Sequence, residues 1–161
     1  FLARRADTDV GRRRDAGYRS VLADHGLACG PAWILPGDYA ERTARELGRE
    51  LLYRDPANGP TGLYAVNLPS ALGFRGAARD AGYRVPDDIS LVTMDDHPFL
   101  EHTDPALTAV HLPMAEMGEI GARMLIDFVD GQPMRHVVTT TAPRLVVRRS
   151  TAPPALNATQ V

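Results

Sequence analysis

Two adjacent carboxylates, Asp95 and Asp96, directly follow an apolar run at residues 89–94. The run does not alternate cleanly between polar and apolar residues, which is typical of a strand buried on both faces of a parallel sheet. In open α/β sheets, ligands bind just outside the carboxyl ends of the strands. The two carboxylates are therefore candidates for a binding site. Asp is also an ordinary turn and helix-capping residue, and this alternative stays open here.

Two other predicted strands end beside residues that could bind a ligand. Tyr39 comes shortly after the strand at residues 32–35, and Asn67 directly follows the strand at residues 62–66. If all three strands are parallel, these groups and Asp95 meet at one edge of the sheet. A carboxylate accepts hydrogen bonds, an amide donates and accepts them, and an aromatic ring stacks on an apolar surface. This set suits a polyhydroxylated or heterocyclic small ligand.

The same loop offers a metal-binding alternative. Asp95, Asp96, His97 and His102 could form a site of carboxylates and imidazoles, as a metal-dependent hydrolase would need. The loop has no regular ligand repeat, and we therefore expect neither a metal nor a cofactor. Gly-x-Ser-x-Gly does not occur, the glycines form no phosphate loop, and Cys29 has no His close in sequence. The sequence does not indicate an enzyme.

Helices and strands alternate along the chain and must position these groups. We expect helices at about residues 11–24, 41–53, 69–81 and 113–130. Short strands lie between the helices, and two more are expected at residues 137–138 and 145–147. This alternation predicts an α/β fold with a mostly parallel sheet.

Composition narrows the class of protein. The 161 residues suit one domain, and the net charge of −2 lacks the basic excess of a nucleic-acid-binding surface. No apolar run approaches the roughly 18–20 residues that span a membrane. A single cysteine excludes an intrachain disulfide and fits a reducing compartment.

Four blocks of sequence, in fixed order, carry a family resemblance. They are residues 14–22 (RDAGYRSVL), 61–73 (TGLYAVNLPSALG), 82–96 (GYRVPDDISLVTMDD), and the closing pair 105–110 (PALTAV) and 148–153 (RRSTAP). Together they resemble the lactose/galactose-repressor (LacI/GalR) family of bacterial transcription regulators. The blocks cover nearly the whole chain, and their order is more specific than any one of them.

The resemblance implies an incomplete periplasmic-binding-protein-like type I fold, in which a ligand lies in the cleft between two lobes. Residues 1–112 would form the parallel-sheet, three-layer second lobe, and residues 132–153 its returning strands. Residues 113–131 would be a crossover helix that belongs to the first lobe, and residues 154–161 a disordered tail. The chain would begin inside a strand of the second lobe, with most of the first lobe and a helix-turn-helix domain upstream. The apolar stripe of the crossover helix would then be exposed.

The resemblance also implies a set of effector-binding residues. They are Arg14, Tyr39, Asn67, Asp95 and Met114. Arg14 would be a charge-assisted donor to hydroxyls or a carboxylate, whereas a solvated side chain in the basic run 12–14 is the alternative. Asp96 is expected to be a turn or cap residue. The chain departs from the family pattern at Leu68, where the family has Asp, and at Met94, where it has an aromatic residue.

The implied function is allosteric control of transcription. A small, sugar-like effector would bind between the lobes of a cytoplasmic homodimer, which associates through the second lobe and contacts DNA only through a domain outside this chain. The alternative is a solute-binding protein of a sugar transporter, which shares the fold. An upstream helix-turn-helix would favour the regulator, and a signal peptide the transporter.

Overall fold

The fold is an α/β arrangement of one six-stranded sheet and four α-helices, seen in a computed structural model that describes residues 2–4, 8–54 and 59–154. The strands are β1 (Leu2–Arg4), β2 (Ile34–Pro36), β3 (Gly62–Ala65), β4 (Ser90–Met94), β5 (Thr108–His111) and β6 (Arg144–Val146). The helices are α1 (Asp9–Asp24), α2 (Glu41–Arg54), α3 (Leu68–Asp80) and α4 (Met114–Val129). Short 3-10 turns cover Pro31–Trp33 and Pro98–His102.

The sheet is mainly parallel, as the alternation of strands and helices predicts. Its strand order is β2-β1-β3-β4-β5-β6. The first five strands in this order pair in parallel, and only β6 runs antiparallel to its neighbour β5. The parallel strands therefore all end at the same edge of the sheet, which we call the carboxyl edge.

The core lies between the sheet and the pair α2 and α3. Phe74 of α3 is fully buried there, together with Leu52 of α2 and Leu91 of β4. Two glycines bring the helices close together. A Cβ on Gly73 would lie 2.9 Å from the Cβ of Ala44, and one on Gly48 would lie 2.7 Å from a ring carbon of Phe74.

Local signals in the sequence set the ends of the helices. Thr8 caps α1, because its hydroxyl accepts a hydrogen bond from the amide of Gly11 at 3.0 Å. Gly26 follows α1 with φ of 68°, and Gly82 follows α3 with φ of 80°. Glycine adopts this left-handed conformation without a steric cost, so both positions end a helix as the sequence predicts.

The expectation that β4 is buried on both faces is wrong. Leu91 and Thr93 point into the core and are buried, whereas Val92 and Met94 on the other face are only half-buried. That face is covered only in part, because Tyr18 of α1 lines a pocket with Val92. In the described part of the chain, α2 and α3 supply buried helical side chains, and α1 buries only a glycine.

The predicted strand at residues 137–138 is also wrong. Residues 132–143 have no helix or strand, and Val138 is 71% exposed. Two β-branched residues favour an extended backbone, but a strand also needs a neighbouring strand to pair with. Of the predicted tail at residues 154–161, residues 155–161 lie outside the described residues.

Helix α4 leaves the sheet after β5, and the chain returns from it into β6. No residue of α4 is buried. Of the stripe predicted to be exposed, Met117, Leu125 and Phe128 are each about half exposed or more, whereas Met124 is half-buried. The base of the helix is nevertheless held, since the Glu116 carboxylate accepts hydrogen bonds from the backbone amides of Thr140 and Thr141 at 2.6 and 3.2 Å.

Candidate functional site

Four of the five candidate residues follow the strands that end at the carboxyl edge. Tyr39 comes after β2, Asn67 after β3, Asp95 directly after β4, and Met114 after β5. Because these strands are parallel, the chain brings all four residues to one edge. The shared edge that the sequence predicts for the first three of them is therefore present. Their role as effector contacts stays a prediction.

Arg14 reaches the same edge from α1. Its Nη1 donates a hydrogen bond to the carbonyl oxygen of Val66, 3.4 Å away, in the link between β3 and Asn67. Arg14 is half-buried, whereas Arg12 and Arg13 beside it are exposed and pair with Asp9. Arg12 and Arg13 are therefore solvated side chains, whereas Arg14 is not.

The pKa of the Tyr64 phenol is raised, and charged groups of both signs act on it. Burial raises the pKa of its phenol, the charge of Arg14 lowers it, and the charge of Asp95 raises it. Arg14 and Asp95 come from different elements, yet both act on the same half-buried side chain of β3. The edge therefore combines a charged donor with a charged acceptor.

Asn67 ties two of the strand ends together. Its Oδ1 accepts a hydrogen bond from the amide of Ser70 at 3.0 Å, which caps α3. Its Nδ2 donates to the carbonyl oxygen of Tyr39, also at 3.0 Å. Asn is a favoured N-cap residue, and its amide still has a second N–H and a second lone pair. Asn67 therefore positions the turn at Tyr39 and keeps hydrogen-bonding capacity for a ligand.

Tyr39 and Asp95 share an uncommon backbone conformation. Their φ angles are 70° and 67°, and they are the non-glycine residues with positive φ in the described part of the chain. Asp tolerates the left-handed region better than Tyr does, because its short polar side chain can bond locally. Strained residues of this kind occur preferentially at ligand-binding and switch sites. Both of them follow a strand at the carboxyl edge.

The edge is open to solvent. Asp95 is exposed, and Met114, the first residue of α4, is 60% exposed. Tyr39, Asn67 and Arg14 are half-buried. The hydrogen-bonding groups are thus accessible from outside the sheet, on a surface that a second body could cover.

Asp96 is held by Arg148 and His111, so its expected role as a simple turn or cap residue is corrected. Its Oδ1 accepts a hydrogen bond from Arg148 at 2.7 Å, and its Oδ2 lies 3.4 Å from His111 Nδ1. Burial tends to raise the pKa of Asp96, but the bonds from Arg148 and His111 outweigh it and leave the pKa below its usual value. The sequence signal was a second doublet of charges, Arg148 and Arg149, directly after the strand predicted at residues 145–147.

The histidines of the same loop do not form a metal site with these carboxylates. His97 Nδ1 accepts the hydrogen bond of the Phe99 amide at 3.1 Å and begins the 3-10 turn, while Asp96 is bound by Arg148. Among residues 2–4, 8–54 and 59–154, no group of three His, Cys, Asp or Glu side chains could hold a metal ion.

Two cavities of similar volume are lined by other residues. One of about 380 Å³ is lined by Arg45 of α2, by Arg75 and Arg79 of α3, and by Tyr83 after that helix. Another of about 400 Å³ is lined by Arg13 of α1, by Met117 and other residues of α4, and by residues 136–139. Neither is lined by Tyr39, Asn67 or Asp95.

No helix within the described ranges is both long and apolar enough to cross a membrane.

Comparison with known proteins gives consistent results. The model of the periplasmic binding protein-like domain matches residues 1–151. The transcriptional regulator reg1 of Streptomyces lividans is 34% identical over 151 residues, which are 94% of this chain and 39% of that protein. The transcriptional repressor PurR of Aliivibrio fischeri is 28% identical over 90% of this chain and 43% of its own length. The chain thus spans about two fifths of the length of these curated relatives.

Solved structures show the same similarity. A LacI-family transcriptional regulator from Mycobacterium smegmatis superimposes with a TM-score of 0.89 and 32% identity, over 96% of this chain and 57% of that one. The regulator CelR in complex with cellobiose gives a TM-score of 0.82 and 32% identity, over 92% of this chain and 45% of that one.

Proposed function

We propose that this chain, which belongs to the periplasmic binding protein-like domain family and is a relative of the LacI-family transcriptional regulators, is the second lobe of a regulator's effector-binding unit. Its ligand is a small, sugar-like effector that binds at the carboxyl edge. The effector controls DNA binding by a helix-turn-helix domain elsewhere in the protein.

The observation that carries this proposal is the meeting of hydrogen-bonding groups from separate elements at one open edge. Arg14 offers a charged donor, Asp95 a charged acceptor, and Asn67 both a donor and an acceptor. Neighbouring hydroxyls of a sugar need this mixture, since each hydroxyl donates once and accepts as well. Tyr39 would stack on an apolar face of the ring. The CelR complex with cellobiose supports a sugar over other small ligands.

The exposure of helix α4 supports the assignment of this chain to the second lobe. Residues 113–131 would rest on a first lobe upstream, while residues 1–112 and 132–153 form the lobe described here. An exposed apolar surface of this extent usually marks an interface. The relatives are more than twice as long as the matched region, which leaves room for that lobe. The complete regulator would be a homodimer joined through its second lobes.

The mechanism is a shift between two orientations of the lobes. An effector that contacts both lobes stabilises the orientation in which both sets of contacts are made. In a dimer, that reorientation changes the spacing of the DNA-binding domains and so the affinity for the operator. Effector binding and DNA binding then alter each other by the same factor.

The relatives favour this regulator over the solute-binding protein of a transporter, because reg1, PurR and the similar solved structures are transcription regulators. They also give no reason to expect an enzyme. The carboxylates of the loop lack a metal-binding partner set in the described residues, so the metal-dependent hydrolase has no support there.

The test is a thermal-shift screen of sugars, nucleosides and purines on the full-length protein, since a ligand of the folded state raises its melting temperature. We expect a sugar to raise it. Asp95→Asn should weaken the binding of that ligand about 5- to 10-fold, because Asn keeps a neutral acceptor and a hydrogen bond to a charged group is about 1–1.5 kcal/mol stronger than a neutral one. Asn tolerates the left-handed backbone at this position.

The matched control is Asp87→Asn. Asp87 is exposed, pairs with Arg84 at 3.2 Å, and precedes β4 at the opposite edge of the sheet. It should leave the affinity unchanged. Equal affinity in the wild type and in Asp95→Asn would refute the assignment of the site, and a screen without any sugar response would refute the ligand class.

A further inference from the structure

Asp95 lies between two fixed neighbours. On one side, Met94 is the last residue of β4 and pairs with Val110 of β5. On the other side, the Asp96 carboxylate is bound by Arg148 at 2.7 Å and lies 3.4 Å from His111 Nδ1. The left-handed φ of 67° at Asp95 is therefore enclosed between a strand ladder and an ion pair.

Arg148 is a rigid partner for this ion pair. Its side chain is only 11% exposed, and its Nη1 donates to the carbonyl oxygen of Leu107 at 2.9 Å. Its backbone amide donates to Thr108 Oγ1 at 3.0 Å. Glu101 adds a second carboxylate 3.5 Å from Nη2. A guanidinium held at both its backbone and its side chain fixes Asp96 in one place.

We propose that Arg148 and Asp96 are positioning residues that hold Asp95 in its left-handed conformation and so direct its carboxylate to the ligand at the carboxyl edge. Neither residue touches the ligand. A non-glycine residue leaves the left-handed region unless its surroundings hold it there. The pairing of β4 with β5 fixes the residue before Asp95, and the contacts of Arg148 fix Asp96, the residue after it. The inference rests on the proposed function only in taking Asp95 as the ligand contact.

Burial and hydrogen bonding suggest a simpler alternative, in which the ion pair only fastens the segment after β6 to the sheet. Ser150 already fastens that segment, because its hydroxyl bonds the Leu91 carbonyl and accepts from the Thr108 amide at 2.8 Å. A purely structural ion pair would lower the stability when removed and leave the backbone of Asp95 unchanged. The two roles are therefore separable by observing Asp95 itself.

The experiment is NMR of the full-length protein without ligand. A residue with positive φ has a short distance between its amide and Hα protons, and the corresponding intraresidue cross-peak of Asp95 should be strong in the wild type. In Arg148→Gln and in Asp96→Ala that cross-peak should fall to the level of ordinary residues, with chemical-shift changes centred on residues 94–97. Asp96→Asn, which keeps an acceptor for Arg148, should give an intermediate intensity.

The matched control is Arg149→Gln, because Arg149 is the next residue of the same segment and its side chain is exposed. It should leave the Asp95 cross-peak unchanged. If Arg148→Gln does not fold, the two Asp96 variants test the same contact from its other side. A full-strength Asp95 cross-peak in a folded Asp96→Ala protein would overturn the inference, whatever the result of the ligand screen.

Discussion

Helices α3 and α4 are similar in length, and each begins within a few residues of the end of a parallel strand, yet their surroundings are opposite. α3 buries six of its residues against α2 and the sheet, including the fully buried Phe74. α4 buries none, although Leu125 and Phe128 are as apolar as anything in α3. An amphipathic sequence therefore determines that a helix forms, while a second surface determines whether it is buried.

The largest expected difference between the two helices comes from removing one phenylalanine from each. Phe74→Ala should lower the free energy of unfolding of this chain by about 3–5 kcal/mol, because the ring is fully buried. Phe128→Ala should change it by about 0.5 kcal/mol or less, since that ring is 55% exposed. Urea unfolding of both variants measures the two values. Similar losses would show that α4 contributes to the core of this chain.

The difference between α3 and α4 should be smaller in the full-length protein. Leu125 is 63% exposed here, so Leu125→Ala should be nearly neutral in this chain. If a first lobe covers α4, the same substitution in the full-length protein should cost about 2–3 kcal/mol, as for other buried leucines. Unfolding both lengths in parallel tests this. A neutral effect at both lengths would argue against the proposed contact between α4 and the first lobe.

Replacing a glycine by alanine should have opposite effects on the free energy of unfolding in the two helices. A methyl group on Gly73 would collide with the Glu41 carbonyl and lie 2.9 Å from the Ala44 Cβ, so Gly73→Ala should destabilise by about 1–3 kcal/mol. A methyl group on Gly121 of α4 meets nothing within 4 Å. Gly121→Ala should therefore stabilise by about 0.5–1 kcal/mol through helix propensity alone. Thermal unfolding separates the two, and a destabilising Gly121→Ala would show a close neighbour at α4.

The smallest effect concerns the base of α4. Hydrogen bonds from Thr141 and Thr140 lower the pKa of Glu116 to about 2, from an ordinary value of 4.5. A lowered pKa in the folded state means that the ionised carboxylate stabilises the fold above about pH 4.5, and that this contribution is lost as the pH falls towards 2. The stability difference between the wild type and Glu116→Gln should shrink over this window.

The control for this pH effect is Glu119→Gln, one turn further along α4. Its carboxylate is exposed and lies 3.8 Å from Arg123. It is not the acceptor of the hydrogen bonds from Thr140 and Thr141, so this variant controls for the loss of one carboxylate from α4. NMR titration of the Glu116 side-chain carboxyl provides the pKa directly, and a midpoint at the ordinary value would contradict the described hydrogen bonds.

Periodicity in the sequence was sufficient to predict the helices, most strands and the mostly parallel pairing of the sheet. It located Tyr39, Asn67 and Asp95 at one edge, since strand direction alone decides that placement. It did not predict the pairing of Arg148 with Asp96, because these residues are 52 positions apart and meet only through β6 lying beside β5.

Two further features depended on tertiary contacts. Tyr39 and Asp95 adopt the left-handed backbone although neither is a glycine, so the sequence did not predict this conformation. The apolar residues at 137–138 have strand propensity, but the described chain gives them no neighbouring strand. In both cases the local sequence allows several conformations, and contacts with distant parts of the chain, or their lack within the described residues, decide between them.

The antiparallel pairing of β5 and β6 has a consequence for the design of a smaller protein. His111 of β5 lies opposite Arg144 of β6, so the two strands are the arms of a hairpin, and residues 112–143 form its loop. The entropy of closing a loop grows only slowly with its length, and a long insertion of this kind is tolerated at the tip of a hairpin. Replacing these residues with a short glycine-containing turn would preserve the register of the sheet and remove the largest exposed apolar helix in one step.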